Sequence, residues 1–287
     1  MKHLLTLRAP GISILWGTLL LLALSATGAK AQSETDSINT DSTKTTIDTP
    51  RVEKDPRPYR KNLIKINLAA LTMLKSYNFS YEHLLGRKVS FVFGYNKMSE
   101  NTLSDLPITE RVSDKIFDDD DRIKDDLDRI RVSNTAYTAE FRFYGGQFSG
   151  ARGFYLALYG RYVNTKINYD YEFQANTRTY NVPLKSNLKG YAGGILLGSQ
   201  FIISRTISLD IYVGGHYGTI KGDADGPVDL STMSQQDKTN LREDIESTTT
   251  IRDKQYVNAT VTNSGVTAKV KGPLIGLRGG FSLGIAF

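Results

Sequence analysis

A two-residue alternation of apolar and polar side chains runs from Asn62 to Phe287 and constrains the fold more than any other feature. Successive side chains on a β-strand point to opposite faces, so the pattern gives each strand one greasy and one polar side. Eight segments carry it, at about 62–71, 75–86, 87–98, 133–145, 153–171, 187–203, 206–221 and 272–287. In the second, Phe79, Tyr81, His83 and Leu85 oppose Asn78, Ser80 and Glu82. In the third, Val89, Phe91, Phe93 and Tyr95 oppose Ser90, Gly94 and Asn96. The fourth sets Tyr137, Ala139, Phe141 and Phe143 against Thr138, Glu140 and Arg142. The fifth sets Phe154, Leu156, Leu158 and Tyr162 against Tyr155, Tyr159 and Arg161. Leu209, Ile211, Val213 and Tyr217 oppose Asp210, Tyr212 and His216 in the seventh. In the last, Leu277, Phe281, Leu283, Ile285 and Phe287 oppose Arg278, Gly280, Ser282, Gly284 and Ala286.

Such strands have two outlets. A soluble sandwich or lipocalin-type barrel turns the apolar face inward and the charged face to water. A transmembrane barrel does the reverse. Alternation alone does not say which face is inside. The aromatic flanks and the small residues on the polar face favour the membrane form. Each segment holds enough residues to cross a bilayer, which takes about 9–11 tilted strand residues. The connections also alternate in length. Leu85 to Lys88, Gly145 to Arg152 and Ser204 to Thr206 are short, whereas 99–132, 172–186 and 222–271 are long. Outer-membrane barrels have this asymmetry of short periplasmic turns and long outer loops. Thr72-Met73-Leu74 is a short connection at an outer position.

The first 60 residues read differently. Lys2 and Arg8 precede an apolar stretch from Ile12 to Ala26, and Ala29-Lys30-Ala31 follows as an A-x-A-like cleavage pattern. That order predicts an export signal over residues 1–31, cleaved after Ala31. Residues 32–60 are rich in Ser, Thr, Asp and Pro, and predict a disordered periplasmic linker. Residues 61–287 are then the barrel. The formal net charge is +6, and Lys2, Arg8 and Lys30 account for three of it, so the remaining +3 is too small and scattered for a nucleic-acid binder. The absence of cysteine excludes disulfides, thiol chemistry, Cys-zinc sites and lipoprotein acylation.

Asn62-Leu63-Ile64-Lys65-Ile66-Asn67-Leu68, Ser80-Tyr81-Glu82-His83 and Phe91-Val92-Phe93-Gly94-Tyr95 resemble small Bacteroidetes-type outer-membrane β-barrel proteins of the DUF3575 kind. Glu140-Phe141-Arg142-Phe143-Tyr144 followed by Gly153-Phe154-Tyr155-Leu156 carries the same likeness. The resemblance covers residues 60–287 apart from the two largest loops. It implies an eight-stranded barrel and no catalytic residues. The terminal Phe287 on an alternating strand resembles the C-terminal signal read by barrel-assembly machinery. The expected fold is therefore all-β: an eight-stranded antiparallel up-and-down transmembrane β-barrel, preceded by a signal peptide and a disordered linker. Its partners are outer-membrane lipid, the assembly machinery and an unknown surface ligand.

The polar faces supply Lys65, Glu82, Glu140, Arg142, Arg161, Asp210 and Arg278. Charges of both signs inside a narrow barrel must pair, and eight strands leave an interior just wide enough to be filled by side chains. We expect a structural network of Glu82, Glu140, Arg142, Arg161, Asp210 and Arg278, and weigh a narrow porin-like channel against it. A membrane-embedded lipid-modifying enzyme is a third reading. His83 and His216 fall on different faces, and Ser90 and Ser282 stand at no recognisable spacing to His216. No catalytic residue and no cofactor are expected. Asp118 to Asp121, Asp125, Asp126 and Asp128 lack EF-hand spacing, and predict a solvated, partly helical loop rather than a metal site. Gln255–Thr262 and Gly265–Lys271 have the composition to extend strands seven and eight as a hairpin above the membrane.

Overall fold

The computed structural model describes residues 59–109, 121–175, 178–203, 206–247, 250–251 and 254–287. The expected signal peptide and nearly all of the expected linker lie outside them, as do Asp118 to Asp120. Eight antiparallel strands close into one ring: β1 (Asn62–Asn67), β2 (Ser76–Leu84), β3 (Val89–Thr102), β4 (Ile130–Tyr144), β5 (Gly153–Ala175), β6 (Arg178–Ile203), β7 (Ile207–Pro227) and β11 (Gly265–Ala286). Two two-residue strands, β8 (Thr250–Ile251) and β9 (Lys254–Gln255), pair with each other, and β10 (Val257–Thr262) adds to β11. Each ring strand pairs with its chain neighbours, and β1 returns to β11. A single closed sheet excludes the sandwich.

Leu63–Asn67 lie opposite Ser282–Ala286 at the closing seam. Beyond that register, Asn62 N–H donates to the Phe287 carbonyl at 3.1 Å, and Phe287 N–H donates to the Asn62 carbonyl at 2.8 Å. The alternation predicts a first strand to residue 71, but β1 stops at Asn67. The Asn67 side chain accepts a hydrogen bond from Ala70 N–H at 3.0 Å and caps helix α1 (Leu68–Leu74). Leu, Ala and Met are strong helix formers, and an Asn cap satisfies one of the helix's free N–H groups. Lys75 then takes the left-handed conformation, with φ +48, and turns the chain into β2. Helix α1 packs between β2 and β11, where β1 has ended.

Burial distinguishes the two faces. At the turn end of β5, Leu158 is 50% exposed, whereas Tyr155 and Ala157 are 3% and 0%. The apolar residues Phe141, Ile195, Ile211, Leu277 and Ile285 are likewise exposed on the outside of the ring. Higher up, the polarity reverses. Register aligns Phe79, Tyr95, Tyr137, Tyr162 and Tyr191 in one outward row across β2 to β6. Ring centroids along it are 5.4 Å apart for Tyr95 and Tyr137, 6.4 Å for Tyr137 and Tyr162, and 5.0 Å for Tyr162 and Tyr191. Above this row the outward residues of β5 are Asn164, Lys166, Asn168, Asp170 and Glu172. Its inward ones include Val163, Ile167, Tyr169 and Tyr171, all buried. One strand thus presents apolar side chains outward below the row and inward above it.

The inward apolar half builds a second core, which corrects the expected loops. Residues 172–186 are mostly strand, because β5 and β6 run on as a hairpin to Ala175 and Arg178. Residues 222–271 extend β7 to Pro227, begin β11 at Gly265, and fold β10 onto it as a hairpin. They also form helix α3 (Gln235–Ser247). Ser234 Oγ accepts from Asp237 N–H at 3.1 Å and donates to the Asp237 carboxylate at 2.7 Å, a reciprocal N-terminal cap. Leu241 and Ile245 point from α3 into a cluster with Tyr171, Tyr180, Val182, Ile220 and Val266. Within 99–132, Leu103 and Leu106 join the same cluster, and Asp121–Asp128 form helix α2.

The Tyr171 hydroxyl donates to the Asp244 carboxylate and ties β5 to α3. Burial first, then this hydrogen bond, push the phenol pKa above its ordinary range. A raised folded-state value means that the contact's stabilisation is complete below the free phenol's pKa, about 10, and is lost as pH rises through the folded value. Amide protection, corrected for base-catalysed intrinsic exchange, should therefore fall in Gln235–Ser247 above about pH 10 before it does in Ala139–Arg142, and Tyr171→Phe should remove that difference. Leu241→Ala should destabilise the same helix by about 2–5 kcal/mol, which the same measurement reads.

Candidate functional site

Closure fixes what the lumen can hold. Below the tyrosine row, inward charged side chains from five strands meet in one layer. Lys65 on β1 is 1% exposed and uses its three ammonium protons on three partners. Its Nζ lies 2.6 Å from Glu82 Oε2 on β2, 2.7 Å from Gln200 Oε1 on β6 and 2.8 Å from Asp210 Oδ2 on β7. Arg142 on β4 reaches Asp210 Oδ2 through Nη1 at 2.7 Å and Glu140 Oε2 through Nε at 2.9 Å. Its guanidinium also stacks 4.5 Å from the centroid of Tyr155. Arg278 on β11 pairs with Glu140 and lies over the rings of Tyr159 and Tyr212, at 5.1 and 5.2 Å.

Neutral groups satisfy most of what the ions leave. Ser90 and Tyr144 donate to Glu82 Oε1. The Tyr155 hydroxyl donates to Asp210 Oδ1 at 2.7 Å, and Gln200 Nε2 donates to the Ala151 carbonyl at 2.7 Å. Lys65, Arg142 and Arg278 face Glu82, Glu140 and Asp210, so the layer is formally neutral. Charges this buried are tolerated when paired and hydrogen-bonded, and costly otherwise.

Of the residues expected to share a network, Glu82, Glu140, Arg142, Asp210 and Arg278 are joined by these contacts. Arg161 is not. It lies on the same inner face of β5, opposite Thr138 and Ala192, and its Nε has no hydrogen-bond partner. His216 bonds through Nδ1 to the Tyr159 hydroxyl at 3.1 Å, while His83 bonds to Asn62 at 2.8 Å. Ser90 is committed to Glu82. Sequence reasoning missed Gln200, Tyr144 and Tyr155 as partners of the ions. Strand parity was the signal available: each stands two or more even steps from an inward residue, as Tyr144 does from Arg142. Phe287 closes the seam through its backbone and is 50% exposed.

Glycine makes room for this layer. A Cβ on Gly198 would lie 2.8 Å from the Ile211 carbonyl and inside the envelope of the Tyr155 ring. On Gly280 it would lie 2.7 Å from Cζ of Tyr212. The aromatic rings lie across the lumen because β6 and β11 offer no side chain there. The layer therefore fills the barrel at this level and offers polar contacts already spent on one another.

No protein-family model matches the sequence, and no curated protein matches it. Among solved structures, the chain is similar to Acinetobacter baumannii CarO at 13% sequence identity and a TM-score of 0.33, covering 82% of this chain and 100% of that one. A likeness at that score supports no conclusion about role.

Lys65→Met strips Glu82 and Asp210 of their shared ammonium. Unfolding in detergent with urea should show a loss of about 3–5 kcal/mol, the cost of leaving a buried partner uncompensated. Gly198→Val should destabilise the barrel too, by displacing Tyr155 from Asp210. A variant at either site with native stability would mean that the layer contributes little to holding the fold.

Proposed function

We propose that the protein is an integral outer-membrane β-barrel, exported by the N-terminal signal, with a plugged lumen and a non-enzymatic structural or surface-interaction role. The carrying observation is the reversal of polarity at the tyrosine row. Lipid requires an apolar exterior, whereas water on the far side requires a polar exterior and an apolar interior. Tyrosine favours the boundary between the two, since its ring is apolar and its hydroxyl polar. The band below the row, from Phe154 to Tyr162 on β5, is nine residues long and matches the tilted-strand crossing length of about 9–11 residues. The resemblance to small Bacteroidetes barrels of the DUF3575 kind fits this reading, as does the expected cleavage after Ala31.

The plug supports a role without transport. Lys65, Glu82, Glu140, Arg142 and Asp210 are each at most 2% exposed and bonded to one another across the lumen. What remains for function is the cap beyond the tyrosine row, which β10, α3 and the ends of β5 to β7 build. Expressed with residues 1–31 in a Gram-negative host, the chain should fractionate with outer membranes. It should also migrate as a compact band in cold SDS that shifts on heating. Planar bilayers containing it should show no steady conductance, and the host's lipid A and phospholipid masses should be unchanged. Recovery in the soluble periplasm without a heat shift would overturn the membrane reading. Stable conductance would overturn the plug.

A further inference from the structure

We propose that the loop-end rim of the barrel binds a membrane lipid with a net-negative phosphate headgroup, its phosphate on a collar of lysines and one acyl chain in the groove beneath them. The inference rests on the reading that the band below the tyrosine row lies in a bilayer.

The collar emerges from strand register. The outward row directly above the tyrosines is Tyr77, Lys97, Thr135, Asn164, Lys189, Lys221 and Lys271, each opposite the next across neighbouring strands. The row above that contains Lys166, Asp223 and Lys269. Two consecutive rows thus present six lysines and, counting Glu100 in the β3 bulge opposite Ser133, two carboxylates. All six lysines are exposed. Among the described residues Lys97 donates to Thr135 Oγ1 at 3.3 Å, and no ion pair occupies Lys189, Lys221 or Lys271. The collar sits where the phosphates of a headgroup would lie, one step from the aromatic boundary. Each lysine near an anionic membrane surface contributes attraction, and its aliphatic stem can lie along the tyrosines while the ammonium reaches the phosphate.

The groove lies on the other side of the tyrosines. In the row below them, register aligns Phe93, Ala139, Gly160, Gly193 and Tyr217. Three neighbouring strands thus carry little or no side chain on their outward face. The depression has a volume of about 580 Å³, floored by Ala139, Gly160 and Gly193 and walled by Phe93 and Tyr217. Tyr137, Tyr162 and Tyr191 roof it. Its span of β3 to β7 lies directly under Lys97, Lys189 and Lys221. A lipid is the occupant that matches both halves at once, with an apolar chain below and an anion above. Charge complementarity selects an anionic headgroup over a zwitterionic one.

The two halves can be tested separately. A Cβ at Gly160 meets nothing within 4 Å, and at Gly193 it meets only the Tyr159 carbonyl at 3.8 Å, so leucines there should fill the groove without disturbing the barrel. The full chain, reconstituted from neutral detergent, would be titrated with dipalmitoylphosphatidylglycerol or dipalmitoylphosphatidylcholine and bound lipid counted by native mass spectrometry. The expected result is at least a ten-fold preference for phosphatidylglycerol, declining as salt rises. K189E/K221E/K271E should abolish the preference, and G160L/G193L should weaken both lipids together. Cold-SDS migration checks that every variant is a closed barrel. Compact migration with equal binding of the two lipids overturns the site alone. Compact K189E/K221E/K271E that still prefers phosphatidylglycerol overturns it as well. A wild-type chain that never reaches the compact form overturns the membrane reading and the site with it.

Discussion

Closure of the ring rests on a short ladder. Leu63–Asn67 against Ser282–Ala286, with the Asn62 and Phe287 backbones exchanging two further hydrogen bonds, joins a six-residue strand to a 22-residue one. In hydrocarbon an unpaired strand edge costs several kcal/mol per backbone group, so an open sheet is not an option there. Closure has a second effect. It fixes an eight-strand lumen whose width suits side chains and little else. Polar inward residues must then find one another. The neutral set of Lys65, Arg142, Arg278, Glu82, Glu140 and Asp210 follows from that demand, and Lys65 belongs to both constraints. It sits on the closing strand and holds β2, β6 and β7 from inside.

Strand parity in the sequence was sufficient to sort side chains into two faces, because the period of two needs no partner to be visible. Which face is interior was not legible, since that depends on the solvent around the ring rather than on the strand. The inversion above Tyr162 was equally hidden. Val163, Ile167, Tyr169 and Tyr171 continue the parity without interruption, and only the polarity of their outward neighbours changes. The pattern therefore carries the fifth strand to residue 171 without marking where its apolar side changes face. The end of β1 was misread for a different reason. Leu68 and Ala70 continue the outward parity of Ile64 and Ile66, and the Asn67 cap sets a helix there instead. Helix α3 left a clearer trace, with Ser234 and Asp237 at capping spacing and Leu241 and Ile245 four apart.

The layer between the two regimes is the least settled electrostatically. Below it the ions are paired; above it the interior is apolar. Arg161 sits at the junction with its Nε unpaired. A strand that exchanges polar for apolar on its inner face must pass through one level that belongs fully to neither. Glycines at 190, 194, 214 and 218 cluster on the same inner face of β6 and β7. They narrow the walls at the change, which lets Tyr159 and His216 fill the lumen under the apolar core.

The upper core changes what the surface of this barrel can do. Connections made of unsupported loops would meet a partner with many conformations and bear the ordering entropy on binding. Here β5, β6, β7 and β11 carry their hydrogen-bonded ladders past the tyrosine row, and Leu241, Ile245, Val257 and Val266 pack inside them. The exposed far end is thus held by the same continuous strands that are held by the ion layer below. A molecule approaching that end would meet a shape set by the ring. In that sense the plug and the cap serve one end: the lumen is given up to fix the wall, and the wall presents the surface.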